Sequence, residues 1–401
     1  MSPVKARPSF AYTNHNTVKL IRGGKEYFTL LKELIHKAQH TIHLQVYIYD
    51  EDETGREVGE ALIAAARRGV AVYLLPDGYA SQHISASFIR HLEKEGVNFR
   101  FFQPILKSDH FYFGRRMHHK ILVTDARYCL IGGINISNKY NDGYGKPAWL
   151  DWALYAEGEI APELVKVCLE LWTKSKSAYR KLLWQTNPSV NLPKHQCPVR
   201  IRRNDWVQKR SQITQSYLEM FKDAKSHIYI MSSYFLPGMM VRKKMARAAR
   251  RGVKIKLVLA GISDVKLAKH AERYIYRWIF KNNIEVYEYN ESVLHAKIST
   301  YDGKWATVGS YNVNNISAFA SIELNLDVKQ ETFAINVQHH IEAVIKQDCE
   351  RITEEDYNTR YHFMSRIFQR CSYQIVRVLF FLFTFYFKQQ SFKSANTAKK
   401  H

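Results

Sequence analysis

The sequence is poor in acid. Its 401 residues carry 37 Asp and Glu against 59 Lys and Arg, a formal charge of +22, which excludes cationic partners and points to phosphate-bearing ones. Nucleic acid and acidic phospholipid headgroups both fit, and charge does not separate them. Cysteine is scarce as well. Cys129, Cys168, Cys197, Cys349 and Cys371 form an odd set with no C-x-x-C spacing, which speaks against a disulfide framework and for a reducing compartment. His and Cys do not cluster at zinc-ligand intervals, so no metal and no other cofactor is expected. Met1 to Asn16 lacks the apolar stretch of a secretory leader, and the expected site faces the cytosol. Apolar residues are not short: at 46% they suffice for a buried core in two or three domains, or in one large double unit.

What is present is a pattern written twice. His118-x-Lys120-x4-Asp125-x6-Gly132-Gly133-x-Asn135 returns as His295-x-Lys297-x4-Asp302-x6-Gly309-Ser310-x-Asn312 with identical spacing. Upstream of each histidine, Ala65-Ala66-Arg67-Arg68-Gly69-Val70 reappears letter for letter as Ala248-Ala249-Arg250-Arg251-Gly252-Val253. The chain is a tandem repeat of a large unit, and one site assembled from two halves is the natural inference.

Each half alternates strand and helix. In the first, residues 25–39 have helical periodicity and 41–49 alternate like a strand. A helix over 55–68 turns Val58, Leu62 and Ala65 inward, and a strand over 71–75 ends at Pro76-Asp77-Gly78. The second half repeats the plan, with strands over 227–235 and 253–259 and helices over 238–251 and 263–282. The expected fold is α/β: two repeats, each a mixed, largely parallel sheet flanked by helices, with the site at their interface. The expected boundaries are 1–186 for the first repeat, 187–198 for a proline-rich linker, 199–350 for the second repeat and 351–401 for a tail. The second half is the more basic. Arg242, Lys243, Lys244, Arg247, Arg250, Arg251, Lys254 and Lys256 fall within fifteen residues that contain no acid.

The duplicated residues suit a phosphodiester. Breaking its P–O bond requires a nucleophile, a proton for the departing oxygen and positive charge around the phosphoryl oxygens. His118 and His295 supply the first two, because an imidazole is as ready to be neutral as protonated near neutral pH. Lys120, Lys297, Asn135 and Asn312 supply the third, and the motif glycines would let backbone approach a ligand closely. Asp151 and Glu323 lie 33 and 28 residues after the histidines of their respective halves. They are the candidates to orient each imidazole. Asp125 and Asp302 sit where turns are expected, and their residue type favours a structural reading there. His119 faces Ala296 in the other copy and reads as packing.

These residues resemble the signature of the phospholipase D superfamily, H-x-K-x4-D-x6-G in duplicate. The AARRGV segments, the RRMHHK approach and the GGINIS and GSYNVN turns are similar to bacterial cardiolipin synthases, of the short type without N-terminal transmembrane helices. The likeness runs over roughly residues 17–390. It implies a two-repeat sandwich whose motifs meet, with His118, Lys120, Asp125, His295, Lys297 and Asp302 as the catalytic set. It further implies His118 as nucleophile, His295 as proton donor and then acceptor, and phosphatidylglycerol as substrate. A hydrolase of the same superfamily, or a nuclease, uses the same chemistry.

The tail favours lipid. Tyr373 to Phe387 contains an apolar run of ten residues after Arg377, roughly 15 Å as a helix and about half of a hydrocarbon core. Such a segment suits lying in one leaflet with its flanking cations on acidic lipid. The expected setting is peripheral, on the cytoplasmic face of the bacterial inner membrane, with no nucleic acid as partner.

Overall fold

The computed structural model describes residues 11–104, 115–144, 147–173, 175–185, 193, 196–314 and 321–379. The first repeat runs β1 (Asn16–Arg22), α1 (Lys25–Lys37), β2 (Thr41–Val46), α2 (Glu53–Arg67), β3 (Ala71–Pro76), α3 (Ala86–Lys94), β4 (Asn98–Phe99), β5 (Arg116–Met117), β6 (Lys120–Thr124), β7 (Tyr128–Gly132), β8 (Trp152–Gly158), α4 (Ile160–Trp172) and α5 (Lys176–Gln185). The second runs β9 (Val199–Asp205), β10 (Arg210–Ser211), α6 (Gln212–Asp223), β11 (His227–Ser232), α7 (Met239–Arg250), β12 (Lys254–Ile262), α8 (Lys266–Tyr274), α9 (Tyr276–Lys281), β13 (Glu285–Val293), β14 (Lys297–Tyr301), β15 (Trp305–Gly309), β16 (Ser321–Val328), α10 (Glu331–Asp348) and β17 (Cys349–Ile352). A short α11 (Glu354–Arg360) follows.

The shared hexapeptide has a local reason. In AARRGV the second arginine closes a neighbouring helix: Arg68 donates to the carbonyls of Ile35, His36 and Ala38 at the C-terminal end of α1, and Arg251 to those of Phe221, Lys222 and Ala224 at that of α6. These carbonyls are otherwise orphaned at a helix end. The glycine that follows takes φ of 88° at Gly69 and 90° at Gly252, a region costly for any residue with a Cβ. The valine then starts the next apolar strand.

The sheet orders repeat as well. The first is β1-β8-β7-β6-β2-β3-β4, and the second contains β9-β16-β15-β14-β11-β12-β13 in the matching places, extended by β10 and β17. The sheets are mixed, as expected, but within each repeat the parallel pairs among the described strands are those of β2-β3-β4 and β11-β12-β13. The hairpins β6-β7 and β14-β15 add antiparallel strands, because a two-stranded motif with a tight turn admits no crossover.

One apolar core joins the halves, with Ile121, Ile131 and Leu154 from the first repeat against Ile298, Val308 and Leu324 from the second. Strand β5, though it precedes the first motif, pairs in parallel with β16 of the other repeat. The expected linker at 187–198 lies largely outside the described residues, as do 380–387 of the apolar run. Residues 363–379 of the tail are helical. One face of that helix packs Tyr373 and Val376 on Leu236 and Ala271, while Phe363 and Met364 are exposed.

Candidate active site

Each motif histidine lies two residues before a strand, β6 or β14, at the end that meets the other repeat. His118 donates its backbone N–H to the carbonyl of Ile322 at 2.9 Å, and His295 donates to that of Leu150 at 2.8 Å. The residues after those carbonyls are Glu323 and Asp151. His118 Nδ1 lies 3.0 Å from Glu323 Oε2, and His295 Nδ1 lies 2.6 Å from Asp151 Oδ2. The pairing is crossed: each imidazole is held by the carboxylate of the opposite half. With Nδ1 engaged on both rings, Nε2 is the nitrogen turned to a substrate.

The two carboxylates are not equivalent. Burial would raise the Glu323 carboxyl, but His118, Lys120 and Ser310 overcome it and hold the group below its ordinary range. Ser310 and Ser321 both donate hydroxyls to it, Ser321 at 2.7 Å. Asp151 is pushed up to about 7 by burial, against the pull of Lys297, the Trp152 backbone N–H and Lys120. The first motif has Gly133 where the second has Ser310. A Cβ at Gly133 would meet the Asp151 carboxylate at 2.3 to 2.8 Å, so this glycine makes room for the acid. A Cβ at Gly132 would likewise sit 2.5 Å from Trp152 O, and one at Gly309 2.3 Å from Leu324 O, so both glycines let the backbone of β8 and β16 approach. The motif glycines serve close approach to protein rather than to a ligand.

Burial governs the bases too. It lowers His118, with Glu323 opposing, and lowers His295 well below the usual imidazole value, with Lys297, Lys120 and His118 adding to the effect. It lowers Lys120 to about 7 and Lys297 to about 8. Lys120 donates to the carbonyl of His118 at 2.5 Å and stands 5.2 Å from the Tyr47 ring. Lys297 donates to Ser233 Oγ at 3.0 Å and to the carbonyl of His295. The His118 side chain is 18% exposed and that of His295 10%, so the first imidazole is the more open.

The amides differ in availability. Asn135 is committed at both ends, accepting from Ile48 N at 3.1 Å and donating to Tyr140 Oη at 2.9 Å. Asn312 has a buried Oδ1 without a hydrogen-bond partner. Asp125 and Asp302 do not join the cluster. Asp125 accepts from the backbone N–H of Gln39, His40 and Thr41 at 2.8 to 2.9 Å, and Asp302 from Lys225, Ser226 and His227 at 2.7 to 2.9 Å. They pin the motif hairpins to the starts of β2 and β11, at the end of the strand remote from the lysine. In both repeats the aspartate carboxylate is thus engaged by backbone N–H groups at the hairpin turn. His119 is buried and meets Gln45 Oε1 at 2.9 Å.

Several site residues had no signal in the motif. Tyr140 Oη lies 3.4 Å from His295 Nε2, and Trp149 packs 5.9 Å from the same ring. Tyr47 meets the His118 ring edge to face at 4.7 Å. Asp77, buried in the Pro76-Asp77-Gly78 turn, accepts from Met117 N at 2.9 Å and sets the approach of β5 to His118. Among the described residues no group of three His, Cys, Asp or Glu is placed to hold a metal ion.

The family described as "Cardiolipin synthase, PLD-like domain" matches residues 31–144 and 217–345, one segment in each repeat. Cardiolipin synthase B of Escherichia coli (strain K12) is 33% identical over 344 residues, 84% of this chain and 83% of that protein. Cardiolipin synthase 1 of Bacillus anthracis is 28% identical over 353 residues, 86% of this chain and 69% of that one. Among solved structures, phosphatidylserine synthase from Haemophilus influenzae Rd KW20 superposes with a TM-score of 0.71 over 94% of this chain and 97% of its own, at 15% identity. At that identity the likeness concerns the fold.

Proposed function

The chain belongs to the cardiolipin synthase family built on phospholipase D-like domains, a family of phosphatidyltransferases, and from that premise we propose a double displacement between two phosphatidylglycerol molecules. His118 Nε2 attacks the phosphorus of the first lipid, and the P–O bond to its terminal glycerol breaks. His295 gives its proton to that glycerol oxygen, leaving a phosphatidyl group on His118. His295 then takes the proton of a hydroxyl on the second lipid, whose oxygen displaces His118 from phosphorus. Cardiolipin and one glycerol result, with no net proton change.

The crossed pairing of His118 with Glu323 and His295 with Asp151 carries this reading. An ionised Glu323 stabilises the positive charge that His118 acquires on attack, while an acid near 7 beside His295 suits a group that must both give and take a proton. Lys120 and Lys297 bound the place for the phosphoryl group, to whose oxygens the Nδ2–H of Asn312 would donate.

No helix among the described residues is long and apolar enough to cross a membrane, and we place the enzyme at the cytoplasmic membrane surface, held by charge and by the tail. Full-length protein and a His118→Ala control, incubated with phosphatidylglycerol vesicles, test the reaction by lipid mass spectrometry. Cardiolipin from the first alone is expected. Phosphatidic acid instead of cardiolipin would replace transfer by hydrolysis.

A further inference from the structure

Beyond the catalytic cluster lies a cleft of about 620 Å3 between α7, α9 and the turn into β13. Arg242, Lys243, Arg250 and Lys281 line it with Trp278 and Asn282. Among the described residues none of the four cations has a carboxylate within ion-pair distance. Arg242 stands 5.9 Å from the Trp278 ring.

The first repeat supplies the comparison. The AARRGV segments align α2 with α7, which sets Gly59 opposite Arg242, Glu60 opposite Lys243 and Arg67 opposite Arg250. The residues at positive φ before the parallel strands, Gly96 and Asn283, set His91 opposite Trp278, Lys94 opposite Lys281 and Glu95 opposite Asn282. In the first repeat this groove carries an ion pair, Arg67 to Glu95 at 2.7 Å, and a contact of His91 Nε2 with the Glu60 carboxylate at 3.5 Å. In the second repeat both acids are gone. Glu60 has become Lys243 and Glu95 has become Asn282, so the same fold position changes from self-neutralised to fourfold positive. Folding does not require that charge, since the first repeat adopts the geometry without it. Held together, like charges repel, and a ligand that supplies the missing negative charge relieves them.

We propose that this cleft is a second, non-catalytic lipid site that seats the phosphate of an anionic phospholipid headgroup while its acyl chains stay in the membrane. Two observations favour a lipid surface over other polyanions. Met239 and Met240, on the first turn of α7 beside the cleft, are 79% and 59% exposed, and an indole at the rim suits the headgroup level of a bilayer. Cations with exposed apolar neighbours are the composition of an interfacial anchor. The site deepens the proposed function, on which it rests: it would hold the enzyme on the leaflet that contains its substrate.

The test uses the full chain and four proteins. They are wild type; a variant with Arg242, Lys243, Arg250 and Lys281 each changed to Gln; a control with the exposed Lys25, Lys37, Lys94 and Lys176 each changed to Gln; and Lys243→Glu with Asn282→Glu, which rebuilds the acids of the first repeat. Cosedimentation with phosphatidylcholine vesicles, with and without phosphatidylglycerol, gives affinity; thermal melting checks folding; phosphatidylglycerol in detergent micelles gives turnover away from a bilayer. The cleft variants are expected to bind the anionic vesicles at least tenfold more weakly than the control, with micellar turnover within twofold of wild type. Equal binding by the cleft variants and the control would overturn the proposal. So would a tenfold loss confined to duplex DNA, which would assign the cleft to nucleic acid. Absence of micellar turnover in every protein would instead sink the functional reading, and the binding comparison would still decide the cleft.

Discussion

Glu323 of the second repeat holds the imidazole of His118 in the first, across a sequence separation of 205 residues. Asp151 does the reverse for His295, 144 residues away. Each half thus supplies one motif imidazole and the carboxylate that holds the other, and the proposed reaction needs both pairs formed at once.

The crossing makes a spectroscopic prediction. Glu323→Gln removes the charge that raises His118, so the His118 titration followed by nitrogen NMR should move to lower pH while His295 changes little. Asp151→Asn should perturb His295 and spare His118. Turnover should fall about 10³- to 10⁴-fold in each, the scale seen when an orienting acid becomes an amide. Perturbation of the histidine in the same half as the mutated acid would contradict the geometry.

Asp125→Ala and Asp302→Ala test the motif aspartates. Each leaves three backbone N–H groups without their acceptor, so chemical denaturation should show a loss of about 2–4 kcal/mol. Turnover per folded molecule should stay within a factor of about three. A large drop in turnover at unchanged stability would return these residues to the catalytic set.

Gly133→Ser should be more damaging than Ser310→Gly. The first drives a side chain into the Asp151 carboxylate and displaces the partner of His295. The second removes one of two hydroxyls that Glu323 accepts. Expected losses in kcat are about 100-fold or more against about tenfold, read from initial rates.

Lys120→Met should stabilise the protein while abolishing transfer. The amine titrates near 7 in the folded chain, against an ordinary value near 10.5 when unfolded, so the unfolded state binds more protons between those pH values. Stability contributed by this group therefore rises as pH increases from 7 toward 10.5 and is lowest below 7. At pH 6.5 the methionine variant should be more stable by about 2 kcal/mol, below the full shift because relaxation and water soften a buried charge. An unchanged or lower melting temperature at that pH would refute the assignment.

The sequence carried the repeat, the motif hairpins and the turn role of Asp125 in plain view, because those rest on spacing within a few residues. The strands at Thr41 and Ala71 were legible for the same reason. The exchange of Asp151 and Glu323 between halves was not, since it depends on β5 lying beside β16 rather than on any local pattern. Gly133 gave a signal that was misread: the missing side chain serves a carboxylate, and only the packed neighbour reveals that. Tyr140 and Trp149 are ordinary aromatics until the chain brings them to His295.

A ribosome that has finished the first repeat has made His118 and Lys120 but not Glu323, nor the Ile322 carbonyl that takes the backbone N–H of His118. The half-made chain carries an imidazole with nothing to aim it. On the proposed mechanism the site is incomplete through synthesis, and it is completed only when the later strands dock.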